Sequence, residues 1–309
     1  EWDTITVGEL CSVLDVYIQC ANNLIAIYCI YLNLDNIRSI VQQLQSEVCR
    51  PKSKKHVDIA KDLKRSGDFV RKFFITSSLA LVLIAPWTKL LGKNRQLLYL
   101  AYCPTWMNFI SLFIFQELCS IYTVILGCST VALDANLMIE ICIQIEILKH
   151  NLENNEDISL IYGYIKHYEA ILRLSEKVQN IFKVGLSAIF FTGISVLCTS
   201  LFSLMKVTVD DLLFMVPFFL CVTLVLFSHC WFGNELIYKS EGITASIFHS
   251  NWVGSNMATK KVLLLFMTFT KRPVEMKLGG GLFTMSIPLF VSLSRTAYSY
   301  LTLLKKFEK

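Results

Sequence analysis

The sequence is short of charge. Only 17% of its 309 residues are Asp, Glu, Lys or Arg, against about a quarter in an ordinary soluble domain, so a soluble fold of this size would lack the polar surface to cover it. Glycine (13) and proline (6) are also scarce, which excludes collagen-like and low-complexity disordered chains. The 5 histidines have no metal-ligand spacing, and the 11 cysteines include no Cys-x-x-Cys pair. Gly279, Gly280 and Gly281 lack the spacing and lysine of a phosphate loop, and no serine or aspartate sits in a nucleophile context. Nothing here points to an enzyme, a metal or a cofactor.

Long apolar runs are what the chain has, with 54% of its residues hydrophobic. A run of about 18 or more such residues suffices to cross hydrocarbon as a helix. Val184 to Met205 and Leu212 to Asn234 contain no charge. Met107 to Leu133 is interrupted by Glu117, and Leu278 to Leu304 by Arg295. Phe73 to Leu91 passes across Lys89, while Leu10 to Leu34 is diluted by Asp15, Gln19, Asn22 and Asn23. The expectation is an all-α polytopic membrane protein with six crossings. Val262 to Thr270 is too short to cross and reads as a buried or interfacial segment.

Lys and Arg set the orientation, because cytoplasmic loops carry their excess. Residues 50–72 hold nine, 149–183 five and 239–277 six, all on one side, against seven on the other. The basic side is therefore expected to be cytoplasmic. That distribution accounts for the net charge of +5 without nucleic acid as a partner. Six crossings would leave both ends outside, and Glu1 is no initiator methionine, so an earlier span is expected upstream, with a cytoplasmic N-terminus and an extracellular C-terminus for the full protein. Most cysteines fall within spans, where they act as small hydrophobes. Cys11 and Cys103 alone fall near the oxidising side, where one disulfide is allowed.

Two helical patterns outrun the bilayer. From Met107 the third continues to about Asn151, roughly 65 Å at 1.5 Å per residue, against about 30 Å of hydrocarbon. The fourth, from about Ile158 to Met205, carries an amphipathic stripe through Ile161, Ile165, Tyr168, Ile171, Leu172, Val178 and Phe182. These extensions should pack as a bundle below the membrane, joined by Trp231 to Tyr238 and the Val262 to Thr270 helix. The stripe fits packing within one chain and assembly between subunits equally well.

In the last span the polar positions Thr284, Pro288, Ser292, Arg295, Ser299, Thr302 and Lys306 recur at steps of three and four, one helical face. Such a face needs water or another polar surface beside it. It either lines an aqueous pore built by several subunits or packs on a neighbouring helix. Toward the outer side, Tyr17, Ser77, Ser78, Phe113, Phe115, Gln116, Tyr122, Phe214 and Phe218 mix aromatic with small polar groups. That mixture suits an apolar ligand pocket with a few orienting hydrogen bonds, or ordinary packing. Glu117 is costly in lipid and should face a partner, a cavity or headgroups.

Three blocks together resemble the insect odorant receptors. Cys230-Trp231-Phe232-Gly233-Asn234-Glu235-Leu236, with Ser240 and then Ser250-Asn251-Trp252, is similar to the stretch after that family's penultimate span. Leu263-Leu264-Leu265-Phe266-Met267 with Lys271-Arg272-Pro273 follows the same pattern. Thr296-Ala297-Tyr298-Ser299-Tyr300-Leu301 resembles its Ser-Tyr-Ser-Tyr-Phe ending, with Leu301 in place of Phe. The resemblance implies a seven-helix, inverted-topology channel subunit whose first span is not in this chain. The odorant-specific type assembles with a co-receptor into a heterotetramer in the plasma membrane, and a small volatile apolar ligand opens a non-selective cation pathway. The implied ligand contacts are Tyr17, Ser77, Leu81, Ile84, Phe113, Gln116, Ser120 and Phe218. The implied pore positions are Ser292, Arg295, Ser299, Thr302, Leu303 and Lys306, with the two cations departing from an uncharged gate. The implied division is 1–133 for spans 10–34, 73–91 and 107–133 with the pocket, 134–183 for cytoplasmic extensions, 184–240 for two more spans, 241–277 for the anchor, and 278–309 for the pore helix. A gustatory-type channel is the nearest alternative. A transporter would show internal repeats, and a metabotropic receptor would reverse the charge asymmetry.

Overall fold

The computed structural model describes residues 7–91, 97–99, 107–154, 161–206 and 209–307. Its described residues form an all-α bundle: α1 (Val7–Leu32), α2 (Leu34–Leu44), α3 (Lys54–Leu91), α4 (Phe109–Asn154), α5 (Ile161–Lys206), α6 (Val209–His249), α7 (Met257–Thr270) and α8 (Ile287–Phe307). A two-stranded antiparallel hairpin, β1 (Lys277–Leu278) and β2 (Phe283–Thr284), precedes α8. Four helices are long and apolar enough to cross a membrane among the described residues: 13–32 of α1, α4, 161–204 of α5 and 215–249 of α6. The expected crossing at 73–91 runs into residues 85 and 88–91, whose side chains lie outside the described residues. In the expected crossing at 278–304 the helix begins only at Ile287. Thr284 therefore does not belong to the helical stripe; it sits in β2, where its hydroxyl donates to Glu275 Oε2 at 2.9 Å.

The long helices behave differently at their two ends. At the basic end, α4 is buried almost all round, through Leu137, Met138, Ile139, Ile141, Cys142, Ile143, Gln144, Ile145, Ile147 and Leu148. A helix apolar on every face is the central strut of a bundle. The α5 stripe closes on it, with Ile161, Tyr168, Ile171, Val178 and Phe182 buried and Ile165 and Leu172 packed at the edge. Intramolecular packing thus absorbs that stripe. At the far end the same helices expose Ile110, Ile114, Leu118 and Tyr122 of α4, Leu24 and Tyr28 of α1, and Phe191 of α5. Apolar surface this extensive is the signature of a lipid-facing belt.

The basic end is tied by polar groups as well. Gln144 donates to Cys49 O at 3.1 Å while its Oε1 meets His167 Nε2 at 3.0 Å, both side chains being buried. His56 accepts the Lys52 N–H at Nδ1, so Nε2 carries the proton donated to Asn151 Oδ1 at 2.8 Å. Glu146 takes both Lys149 and Lys239, joining α4 to α6. The cysteine pair falls outside what is described: Cys103 and the side chain of Cys11 are not among the described residues.

Candidate ligand cavity and last helix

A cavity of about 250 Å³ lies between α1, α3, α4, α5 and α6 in the far half of the bundle. Its wall is mainly apolar, with Phe74, Leu81 and Val82 from α3, Val124 and Val131 from α4, Ile189 from α5, and Phe218, Val222 and Leu226 from α6. No charged residue contributes to it among those described. Pro86 in α3 and Pro217 in α6 both line it. Each removes one i→i−4 hydrogen bond from its helix, so the two helices that frame the far end are both locally weakened there.

Most polar groups on the wall are already committed. Asn22 donates to Thr192 Oγ1 and Asn23 to Thr123 O, linking α1 to α5 and α4. These two residues dilute the first span in the sequence, and crossing hydrocarbon explains why both amides must find partners. Gln116 binds the backbone of Tyr99 twice: Tyr99 N donates to Oε1 at 3.3 Å and Nε2 donates to Tyr99 O at 3.0 Å. The Tyr99 hydroxyl meets Ser120 Oγ at 3.3 Å, and Leu98 packs against Phe113. Segment 97–99 is thereby fastened over the cavity, with Leu98 and Tyr99 on its wall.

Of the eight implied ligand contacts, Leu81, Gln116, Ser120 and Phe218 line the cavity and Tyr17, Ser77, Ile84 and Phe113 do not. Tyr17 and Ile84 face outward, 70% and 66% exposed. Phe113 is buried against Leu98 instead. Ser77 donates to Phe73 O at 2.7 Å and leaves the cavity to Ser78, one residue and about 100° further round the helix. Of the other mixed aromatic and polar positions, Phe115 reaches the cavity, Tyr122 is exposed, and the side chain of Phe214 is not described. Glu117 does not line the cavity, and its Oε2 is buried without a hydrogen-bond partner. Asn22, Asn23, Thr123, Cys128, Gly193 and Cys221 also line the cavity; of these, the sequence marks only Asn22 and Asn23, as polar residues within an apolar run.

The last helix is seated by the motif block of α6. Gly233 lies against the backbone of Met285, so a Cβ there would overlap the Met285 carbonyl oxygen and come 3.0 Å from its carbon. Asn234 Oδ1 accepts from Ile287 N at 3.4 Å, at the start of α8. Ser240 Oγ accepts from Val274 N at 2.9 Å. The glycine run forms the turn of the hairpin, with φ of 58°, 74° and 104°, in the left-handed region that favours glycine. Gly279 N donates to Ser187 Oγ at 2.9 Å, fixing that turn to α5. Beyond it, Leu289, Phe290, Leu293 and Ala297 pack α8 onto the core. Ser292, Arg295, Ser299, Thr302 and Leu303 are all exposed, and the side chain of Lys306 is not described.

This architecture has close counterparts. It matches the insect olfactory receptor OR5 from Machilis hrabei in complex with eugenol at a TM-score of 0.79 and 16% identity, over 98% of this chain and 83% of that one. A second structure of that receptor gives a TM-score of 0.75 at 14% identity, over 97% of this chain and 82% of that one. By sequence, odorant receptor 46a, isoform B, of Drosophila melanogaster is 26% identical over 244 residues, 74% of this chain and 63% of that one. Odorant receptor Or1 of Anopheles gambiae is 28% identical over 144 residues, 46% and 34%. The chain thus spans less than two thirds of the length of these relatives. The family model described as 7tm Odorant receptor matches residues 6–298, and this multi-pass membrane chain belongs to that family.

Proposed function

We propose that the chain is the odorant-binding subunit of a ligand-gated, non-selective cation channel, assembled with a co-receptor subunit into a heterotetramer in the plasma membrane. The observation that carries this is the largely apolar cavity between α1, α3, α4, α5 and α6, free of charge among the described residues and fastened beneath segment 97–99. At about 250 Å³ it is near the lower end of ligand-site volumes, right for a small volatile molecule. A ligand acts as a switch only through different affinity for the closed and open states. Here α6 is shared: Phe218 and Leu226 line the cavity, while Phe227 stacks edge-on against Phe290 of α8 at 5.4 Å. A shift of α6 around bound ligand therefore reaches the last helix directly. The exposed Ser292, Arg295, Ser299, Thr302 and Leu303 face of α8, with Lys306 beyond, is the pore-facing surface, and the exposed Leu264, Leu265 and Phe269 of α7 meet the neighbouring subunit. The basic end is cytoplasmic and the C-terminus extracellular, a reading supported by the Lys and Arg distribution. The test is whole-cell current under a broad odorant panel, with the full-length receptor expressed alone and with an insect co-receptor. Odorant-evoked current only on co-expression supports the proposal; surface-expressed receptor that gives no current with any odorant overturns it.

A further inference from the structure

One hydroxyl on the cavity wall differs from the rest. Four Ser and Thr residues line the cavity: Ser78, Ser120, Thr123 and Thr130. Three return their proton to their own helix, Ser120 to Gln116 O at 2.9 Å, Thr123 to Cys119 O at 2.8 Å and Thr130 to Gly127 O at 2.8 Å. Ser78 does not. Its side chain is 1% exposed and its Oγ is buried without a hydrogen-bond partner. The thiols of Cys128 and Cys221 come within reach of it, but a thiol is a weak partner for a hydroxyl. Of the amides on the wall, Asn22 and Asn23 are taken by α5 and α4 and both ends of Gln116 by Tyr99, while Gln19 is only half-buried, unlike Ser78. A buried hydroxyl left unpaired is costly, and a partner arriving with the ligand recovers that cost.

We infer that Ser78 is the polar anchor of the cavity and selects neutral volatiles carrying one hydrogen-bonding oxygen (ketone, aldehyde, ester or alcohol) over hydrocarbons of the same shape. The inference rests on the reading of this cavity as the ligand site. An ionised ligand is excluded because the described wall holds no counter-charge. Within the space available, a molecule on the order of ten non-hydrogen atoms fits at interior packing density. Its apolar body lies against Phe74, Leu81, Phe218 and Leu226, with the oxygen turned to α3.

The test compares isosteres: acetophenone with isopropenylbenzene, and methylbenzyl alcohol with cumene, within a wider panel of such pairs. Binding to the purified full-length receptor is read as ligand-induced thermal stabilisation, and gating as current with the co-receptor. Wild type should favour the oxygenated member of its active pairs by about tenfold, the effect of one hydrogen bond. Ser78→Ala should erase that ratio by weakening the oxygenated member and sparing the hydrocarbon. Ser77→Ala, whose hydroxyl is already bonded within the helix, should leave it unchanged. If ligands bind but the ratio is the same in Ser78→Ala and wild type, the anchor is refuted and the ligand site survives. If no member of the panel stabilises the receptor or evokes current, the ligand-site reading fails and the anchor fails with it.

Discussion

Replacing Gly233 by alanine puts a methyl group where the chain that leads into the last helix already runs. The Cβ would overlap the Met285 carbonyl oxygen and stand 3.0 Å from its carbon, against about 3.5–4.0 Å for an unstrained carbon contact. Both atoms are backbone, so no rotamer change relieves the contact; the chain after β2 must withdraw by about 1 Å. Met285 is fully buried and donates its N–H to Met276 O at 2.8 Å, so withdrawal loosens the hairpin and the Asn234 bond to Ile287 together. Overpacking of this kind costs about 1–3 kcal/mol, offset by up to about 1 kcal/mol because alanine favours helix over glycine. The net loss should lower the melting temperature of the detergent-solubilised full-length receptor by roughly 2–6 °C, read from the fraction eluting intact after heating. Gly163→Ala is the control, since nothing lies within 4 Å of its Cβ; it should be neutral or slightly stabilising. A Gly233→Ala receptor that melts with or above wild type would refute the close-approach argument.

Gln116→Ala removes both bonds to Tyr99 and should release segment 97–99, costing about 2 kcal/mol. Its signature is faster dissociation of every ligand, whatever its chemistry, measured by current decay after washout. At the basic end, burial holds His167 at about 4, below its usual 6.5, with His56 and Lys52 adding to the effect. A base whose folded pKa is lowered takes up protons more readily when unfolded. Its stability contribution is therefore complete above about pH 6.5 and is lost as pH falls from there to about 4. Melting curves across that range should flatten in His167→Gln if the variant keeps its bond to Gln144. In co-expressed channels, Ser292→Cys and Ser299→Cys should be blocked by a cationic thiol reagent, while Leu293→Cys and Ala297→Cys, packed on the core, should resist it. Equal modification at all four positions would contradict the pore-facing assignment.

The overlong helices were legible in the sequence because an apolar repeat without proline continues well past one bilayer thickness. So was the burial of the α5 stripe, which a period of 3.6 residues fixes on one face. The hairpin before α8 was hidden: Leu278 and Phe283 read as the start of an apolar span, and only backbone geometry shows that the three glycines turn the chain. Of the eight implied ligand contacts, four lie on the cavity wall and four do not. Ser77 and Ser78 are adjacent and chemically identical, and only the rotation of α3 decides which faces inward. Gln116 lies on the wall, but its bonds to Tyr99 depend on a return of the chain that no periodicity encodes. Asn22 and Asn23 looked like weaknesses in a span and are its cross-links to α4 and α5.

The most direct test of the account is where an activating odorant sits. Once the current assay yields such a ligand, a high-resolution structure of the full-length receptor bound to it should show density between α3, α4 and α6, bounded by Leu81, Phe218 and Leu226 and beneath Tyr99. An activating odorant found elsewhere, with this cavity collapsed or filled by side chains, would contradict the assignment of the ligand site.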